Sequence, residues 1–287
     1  MLYSKPQKAF HVVNIVFMIV LSLCFVLPYV MILSASLTDE MTLLASGGMT
    51  LFPKKFSFYA YEYIFSSNTL MLRSILNSLI MTVTGTALST VVCMMCAYPL
   101  SRKYLKHRKG IMFFILFTML FSGGLVPTYL LVSTVFPDSM LAVIVPTAMS
   151  AWYTILIKNF FLSVSPFIEE AAKMDGASNF CVFWRIFLPI SKPILATVIL
   201  FNAVSIWNNW FSPKLYITTQ EKYPIQYLLQ QLLVNVEGIY GGGGGNVVPQ
   251  ESVKMASVIV ASLPIILVYP FLQKYFINGI MLGGVKE

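Results

Sequence analysis

Few residues in this 287-residue chain have the type and spacing that bond-making chemistry needs. Cys93 and Cys96 form a C-x-x-C pair. A redox pair requires an accessible thiolate, and a zinc site requires two more ligands. The pair lies in an apolar stretch without a neighbouring His or further Cys, so it reads as packed thiol. His11 and His107 stand alone in basic segments and read as solvated residues. The run Gly241–Gly245 suggests a phosphate loop, but that loop needs G-x-x-x-x-G-K-[ST] between a strand and a helix. No Lys-Ser or Lys-Thr follows, and a flexible loop tip is the better reading. No Ser–His, Cys–His or metal-ligand set emerges, so the chain is expected to be no enzyme and to bind no metal or cofactor itself.

The informative residues lie in Ser165–Pro189. Ser165-Pro166 reads as a helix start, with proline at the first position and Glu169 and Glu170 near the positive end of the helix dipole. Gly176 supplies a left-handed turn. A second helix carrying Phe180, Phe183, Trp184 and Phe187 runs to Leu188, before Pro189 and Pro193. Small residues at Ala171, Ala172, Gly176 and Ala177 allow another protein to approach closely. On composition alone, an amphipathic helix lying in a membrane surface is an equal reading.

The elements that position this segment follow from composition. The chain is 57% hydrophobic and 10% charged, with mean hydropathy +0.78. Soluble domains carry about 25% charged residues, so lipid is the expected solvent. Apolar runs at 11–34, 74–99, 111–134, 139–161, 190–212 and 255–277 each meet the ~20 residues a span needs. Hydrocarbon requires every backbone group to bond internally, so all six are expected to be helices, giving an all-α membrane protein. Pro28, Pro127, Pro146, Pro264 and Pro270 mark expected kinks, and Ser78, Gly85, Ala87 and Ser89 close helix contacts. The first run is too long for the ~7–15-residue core of a cleaved signal and is read as a span.

Basic residues cluster at the N-terminus, after spans two and four, and in the tail, which makes those segments and both termini cytoplasmic. The net charge of +8 is thus a topology signal. Its dispersal over short loops argues against nucleic acid. Two long segments, 35–73 and 213–254, fall outside, and 1–287 reads as one transmembrane domain.

Glu170-Ala171-Ala172, Gly176, Ile186, Leu188 and Pro189 match E-A-A-x3-G-x9-I-x-L-P at every fixed position. The chain thereby resembles the permeases of bacterial ABC importers. Tyr98-Pro99-Leu100-Ser101-Arg102, Phe121-Ser122-Gly123-Gly124-Leu125-Val126-Pro127 and Trp207-Asn208-Asn209-Trp210-Phe211 extend the likeness to MalG-like carbohydrate permeases of the LplC/YtcP branch. One departure is the connection Val135-Phe136-Pro137-Asp138-Ser139, which lacks the expected leucine- and glycine-rich turn.

This resemblance implies a coupling helix between spans four and five that docks on an ATPase through Glu170, Ala171, Ala172, Asp175 and Gly176. It implies a second homologous permease, two copies of the ATPase subunit carrying ATP and Mg, and a solute-binding protein meeting the outer loops. For a sugar cargo, amides and aromatic faces suit hydroxyls and C–H surfaces. Asn202, Trp207, Asn208, Asn209 and Trp210 along the outer half of span five, with Trp152 and Tyr153 in span four, are the candidate pathway lining. For the tryptophans an interfacial anchoring role stays open. The alternatives are an importer permease for a peptide or amino acid, or a secondary transporter or channel. The last class places ionisable residues at mid-membrane, and these spans carry almost none there.

Overall fold

A computed structural model describes residues 5–48, 50–66, 69–234 and 250–284, with side chains as far as 270; Gly241–Gly245 lies outside the described residues. Helices dominate, and the described residues contain no strand beyond an isolated Thr38–Phe56 bridge. Among the described residues four helical stretches are long and apolar enough to cross a membrane: Phe10–Ser36, Leu70–Ser101, Leu141–Ser163 and Glu251–Pro270. Two bent helix pairs raise the total to as many as six.

The helices are α1 (Lys5–Ser36), α2 (Glu40–Ala45), α3 (Tyr59–Ser66), α4 (Thr69–Ser101), α5 (Arg108–Leu120), α6 (Leu125–Val135), α7 (Leu141–Ile144) and α8 (Ala151–Ser163). They continue with α9 (Pro166–Met174), α10 (Asn179–Val182), α11 (Leu188–Ile190), α12 (Lys192–Trp207), α13 (Phe211–Tyr216), α14 (Ile225–Val234) and α15 (Gln250–Gly284).

Three expected spans are not straight. The run 111–134 divides into α5 and α6, which meet at 106°. Phe121–Gly124 form the break, and Gly124 takes φ +90°, a value side chains disfavour. Pro127 lies in the first turn of α6, where its missing N–H costs no helical bond. The run 139–161 starts at Leu141 and passes through a 3₁₀ turn at Val145–Thr147 around Pro146 before α8 begins. The run 190–212 ends as a helix at Trp207, and α12 is bent 77° from the stretch 179–190. Asn208, Asn209 and Trp210 therefore lie beyond the span. The helix expected to continue to Leu188 is α10 followed by a π turn at Phe183–Phe187. Pro189 lies just beyond that turn and has no N–H to give the carbonyl four residues back.

The chain forms two compact units. The described residues up to Leu72 pack with those of Leu229–Leu263, and Arg73–Leu228 pack with those from Pro264 onward. In the first unit, Ser36 Oγ meets Tyr61 OH at 2.8 Å, and Ser57 N–H donates to Leu37 O at 2.9 Å. The Glu40 carboxylate accepts from the N–H groups of Glu251 and Ser252 at 3.0 and 2.9 Å. It thereby satisfies donors that a helix start leaves unpaired.

In the second unit α4 and α12 run antiparallel. Met81 shares a cluster with Val143, Ile144, Ile206 and Ile217, while Cys93, Met94 and Ala97 share another with Ile194, Leu195 and Val198. Gly85 permits this approach, because a Cβ there would stand 2.8 Å from Ile206 Cδ1. Ser78 and Ser89 are buried as the small-residue pattern predicts, whereas Ala87 is exposed.

The unusual connection after α6 has its own fastening. Asp138 takes φ +45° and turns its carboxylate onto the segment after α13. Oδ1 accepts from Thr218 and Thr219 N–H at 2.8 and 3.1 Å, and Oδ2 accepts from Thr219 Oγ1 and Lys222 Nζ at 2.6 and 2.7 Å. The Lys222 and threonine bonds hold this carboxyl far below the usual carboxylate range. Asn77 Nδ2 donates to the carbonyls of Glu221 and Tyr223, and Ile225 N–H donates to Ser78 Oγ at 2.7 Å. Residues 217–225 are thus tied both to the turn at Asp138 and to the start of α4.

Candidate functional site

The segment from Ser165 onward forms the expected helix, turn and second helical stretch, and differs from expectation at its start as well as in the π turn described above. Pro166 is the first residue of α9, but Ser165 makes no side-chain cap; its carbonyl accepts from Ile168 N–H at 3.3 Å. Gly176 has φ +80°. Its N–H donates to Lys173 O at 3.0 Å, and Ala177 N–H donates to Ala172 O at 3.0 Å. This is a Schellman ending, and it accounts for the glycine by its backbone angle. Ser178 then caps the next helix, accepting from Cys181 N–H at 3.2 Å.

The inner face of α9 is held by a charged cluster that sequence reasoning treated only as separate residues. Glu169 is buried, accepts a hydrogen bond from the Arg102 guanidinium, and accepts another from Lys173 Nζ at 2.7 Å. Arg102, which follows the last residue of α4, is buried as well. It donates to Phe161 O at 3.2 Å and Ser101 Oγ at 2.9 Å. Its guanidinium carbon lies 4.4 Å from the Phe187 ring centroid and 5.1 Å from that of Tyr98. Tyr98, Phe161 and Phe187 pack edge to face around it. Lys173 Nζ also stands 4.5 Å over Tyr104. Burial raises the Glu169 pKa, but the hydrogen bonds from Lys173 and Arg102 outweigh it and leave the carboxyl below its ordinary value. One signal was available for this cluster: Arg102 ends an apolar span and an acid opens α9, but 67 residues separate them.

The outer face of α9 is open. Glu170, Ala171, Asp175 and Gly176 are exposed, and Phe167 and Met174 are exposed by 78% and 89%, the degree expected of apolar side chains that await a partner. A Cβ at Gly176 would meet nothing within 4 Å inside the chain. Ala172 differs from the other four predicted docking residues. It turns inward with Ala177 onto the cluster of Phe161, Val182 and Phe187.

The seven predicted pathway residues do not converge on one site. Asn202 is buried in α12, and its Nδ2 has no partner among the described residues. Trp207 lines an apolar cavity of about 220 Å³ with Leu79, Val83, Leu200 and Tyr269. Asn208 is exposed where α12 ends. Asn209 is committed to α13, accepting from Ser212 N–H at 3.1 Å and donating to Ser212 Oγ at 3.0 Å. Trp210 packs on Phe211, Trp152 is 56% exposed at the start of α8, and Tyr153 packs on the core near Cys93. The four cysteines are free, and Cys93 Sγ is buried against the Ser150 backbone. Among the described residues no group of His, Cys, Asp and Glu is placed to hold a metal.

The family model for "binding-protein-dependent transport system inner membrane component" matches residues 72–281, from α4 through the EAA-type segment into α15. The chain belongs to that family. The permease is 42% identical over 287 residues to Protein LplC of Bacillus subtilis (strain 168), covering 99% of this chain and 97% of that protein. It is also 42% identical over 275 residues to the polygalacturonan/rhamnogalacturonan transport system permease protein YtcP of the same organism, covering 94% and 96%. Its fold matches a chain in the crystal structure of a bacterial ABC transporter involved in the import of the acidic polysaccharide alginate, with TM-score 0.89 and 32% identity over 96% of this chain and 99% of that one. The permease is therefore a membrane component of a multi-subunit importer.

Proposed function

We propose that this permease forms one half of the translocation path of an ATP-driven carbohydrate importer, with an oligosaccharide or polysaccharide fragment as cargo. The observation that carries the reading is the two-sided construction of α9: an inner face clamped through Glu169 and an outer face exposing Phe167, Glu170, Ala171, Met174 and Gly176. The polysaccharide named for YtcP and for the structural neighbour supports the cargo class.

The reading takes 1–287 as one transmembrane domain of six spans, two of them broken, with both termini and α9 in the cytoplasm. The distribution of basic residues supports that direction. A second homologous permease completes the path, two ATPase subunits hold ATP and Mg, and a solute-binding protein docks outside. Closure of the ATPase pair draws the two α9 helices together. The Arg102–Glu169 bond passes that displacement directly into α4. Nucleotide on one side and the loaded binding protein on the other then bias one two-state equilibrium.

Tagged permease extracted from its native host should co-purify with a P-loop ATPase and a second permease. Gly176→Asp, which puts a negative charge on the exposed φ +80° turn, should lose the ATPase. Wild-type permease purifying alone, or an ATPase bound equally to both, would overturn the reading.

A further inference from the structure

A groove of about 440 Å³ opens between the end of α4 and helices α5 and α8. Four cations line it: Lys103, Arg108, Lys109 and Lys158. Among the described residues none of their side chains has an ion-pair or hydrogen-bond partner. The buried acid at this end of α4, Glu169, is already taken by Arg102 and Lys173. Four positive charges around one concavity repel one another, and two of them open α5, where the positive end of the helix dipole adds to that repulsion. An anion in the groove relieves this, and the rest of the wall states which kind.

Met112, Phe113 and Leu116 continue the lining along α5, with Leu162 opposite on α8. Phe113 is 70% exposed and Leu116 41% exposed. Leu116 lies about 11 Å further along the helix than the Arg108–Lys109 pair, at 1.5 Å rise per residue. The groove thus presents charge at the helix ends and hydrocarbon one to two turns deeper. Free phosphate or a nucleotide would use the cations and leave the apolar wall bare. A phospholipid uses both in this order, headgroup outermost and acyl chain inward.

We infer that this groove binds an anionic phospholipid of the leaflet at the α9 end of the bundle, its phosphate held by Lys103, Arg108, Lys109 and Lys158 and its acyl chain laid along α5. The inference rests on the proposed reading only in taking that leaflet to be the cytoplasmic one.

The test uses the permease with whatever subunits co-purify, stripped of lipid and titrated with phosphatidylglycerol, cardiolipin or phosphatidylcholine, with adducts counted by native mass spectrometry. Wild type should retain the two anionic lipids about tenfold over phosphatidylcholine. Lys103→Gln/Lys158→Gln should bring that ratio near one, while Lys103→Arg/Lys158→Arg keeps it and so controls for misfolding. Inorganic phosphate at equal concentration should not displace the lipid. Three results would each overturn the site: equal retention of charged and zwitterionic lipid by wild type, displacement by phosphate, or an unchanged ratio in the glutamine variant. Loss of a co-purifying subunit from the glutamine variant with its lipid ratio intact would assign the groove to that subunit instead. Because the readout is lipid mass and not uptake, failure of the cargo reading leaves this result standing, and the reverse also holds.

Discussion

The Arg102 guanidinium closes on the Glu169 carboxylate with both residues buried, joining the end of α4 to the first turns of α9 across 67 positions of sequence. A buried ion pair contributes little net stability compared with an apolar pair, but removing one member leaves an uncompensated charge. Arg102→Met alone or Glu169→Leu alone should therefore destabilise the permease by about 3 kcal/mol, and Arg102→Met/Glu169→Leu should recover to within about 1 kcal/mol of wild type. Thermal unfolding of the four members of this cycle in detergent measures both. A double variant as unstable as the sum of the singles would mean that the pair is not coupled.

The same bond sets a pH response. The folded-state pKa of Glu169 lies below its ordinary value of 4.5, so its contribution is complete above that value and is lost as pH falls through the folded pKa. The melting temperature of the permease complex should be insensitive to this group between pH 5 and pH 8 and should drop only in solution more acid than the ordinary value of 4.5. Glu169→Gln should remove that acid limb. A titration centred near neutrality that disappears in Glu169→Gln would contradict the assignment.

Gly176 separates fold from docking. At φ +80° asparagine is tolerated far better than a β-branched residue. Gly176→Asn should keep the turn and most of the ATPase capture, whereas Gly176→Val should cost about 1–2 kcal/mol and abolish capture. Limited proteolysis of the 174–179 link and ATPase co-purification report the two effects separately.

Asp138 makes a fourth prediction. Asp138→Asn keeps an acceptor for the Thr218 and Thr219 N–H groups but gives up the charge facing Lys222, while Asp138→Leu gives up every side-chain bond and leaves only the Lys222 bond to its backbone carbonyl. The asparagine variant should cost about 1 kcal/mol and the leucine variant about 3 kcal/mol. Cleavage within 217–223 by an added protease should follow that order.

The pathway set can be divided by experiment. Asn202 is buried with an unpartnered Nδ2, so Asn202→Leu removes a desolvated amide and should leave stability equal or raise it by about 1 kcal/mol. If this residue serves the translocation path in another conformation, uptake falls in the variant while the melting temperature does not. Asn208→Ala, at an exposed position, should leave stability unchanged, and unchanged uptake as well would remove Asn208 from the path.

Sequence reasoning went furthest where a backbone angle or a missing N–H dictated the residue. Pro166 at the start of α9 and Gly176 at its end were readable because few residues fit those positions. The apolar runs were readable because lipid demands them. It failed where long-range pairing decides. Nothing local to Arg102 announces Glu169, and in a count of topogenic charges Arg102 looks like any other loop cation. The break at Phe121–Gly124 was masked by the hydrophobicity of both flanking helices, so a span of the right length concealed a 106° bend. Asn209 illustrates how local pairing hides from a residue type: its amide suggested a ligand for sugar hydroxyls, and in this structure it bonds within the local turn into α13.

That break between α5 and α6 has a consequence for how the cell makes this protein. Phe121–Gly124 are exposed, and among the described residues the N–H groups of Ser122 and Gly123 have no hydrogen-bond acceptor. Unpaired backbone at membrane depth is tolerated only against protein or water. On the proposed reading, in which a second permease covers this face, a copy synthesised without that subunit displays a polar defect to lipid, which membrane quality control can recognise as a mark of an orphan subunit. On that reading the abundance of this chain should follow that of the second permease after translation, whatever the ratio of their messages.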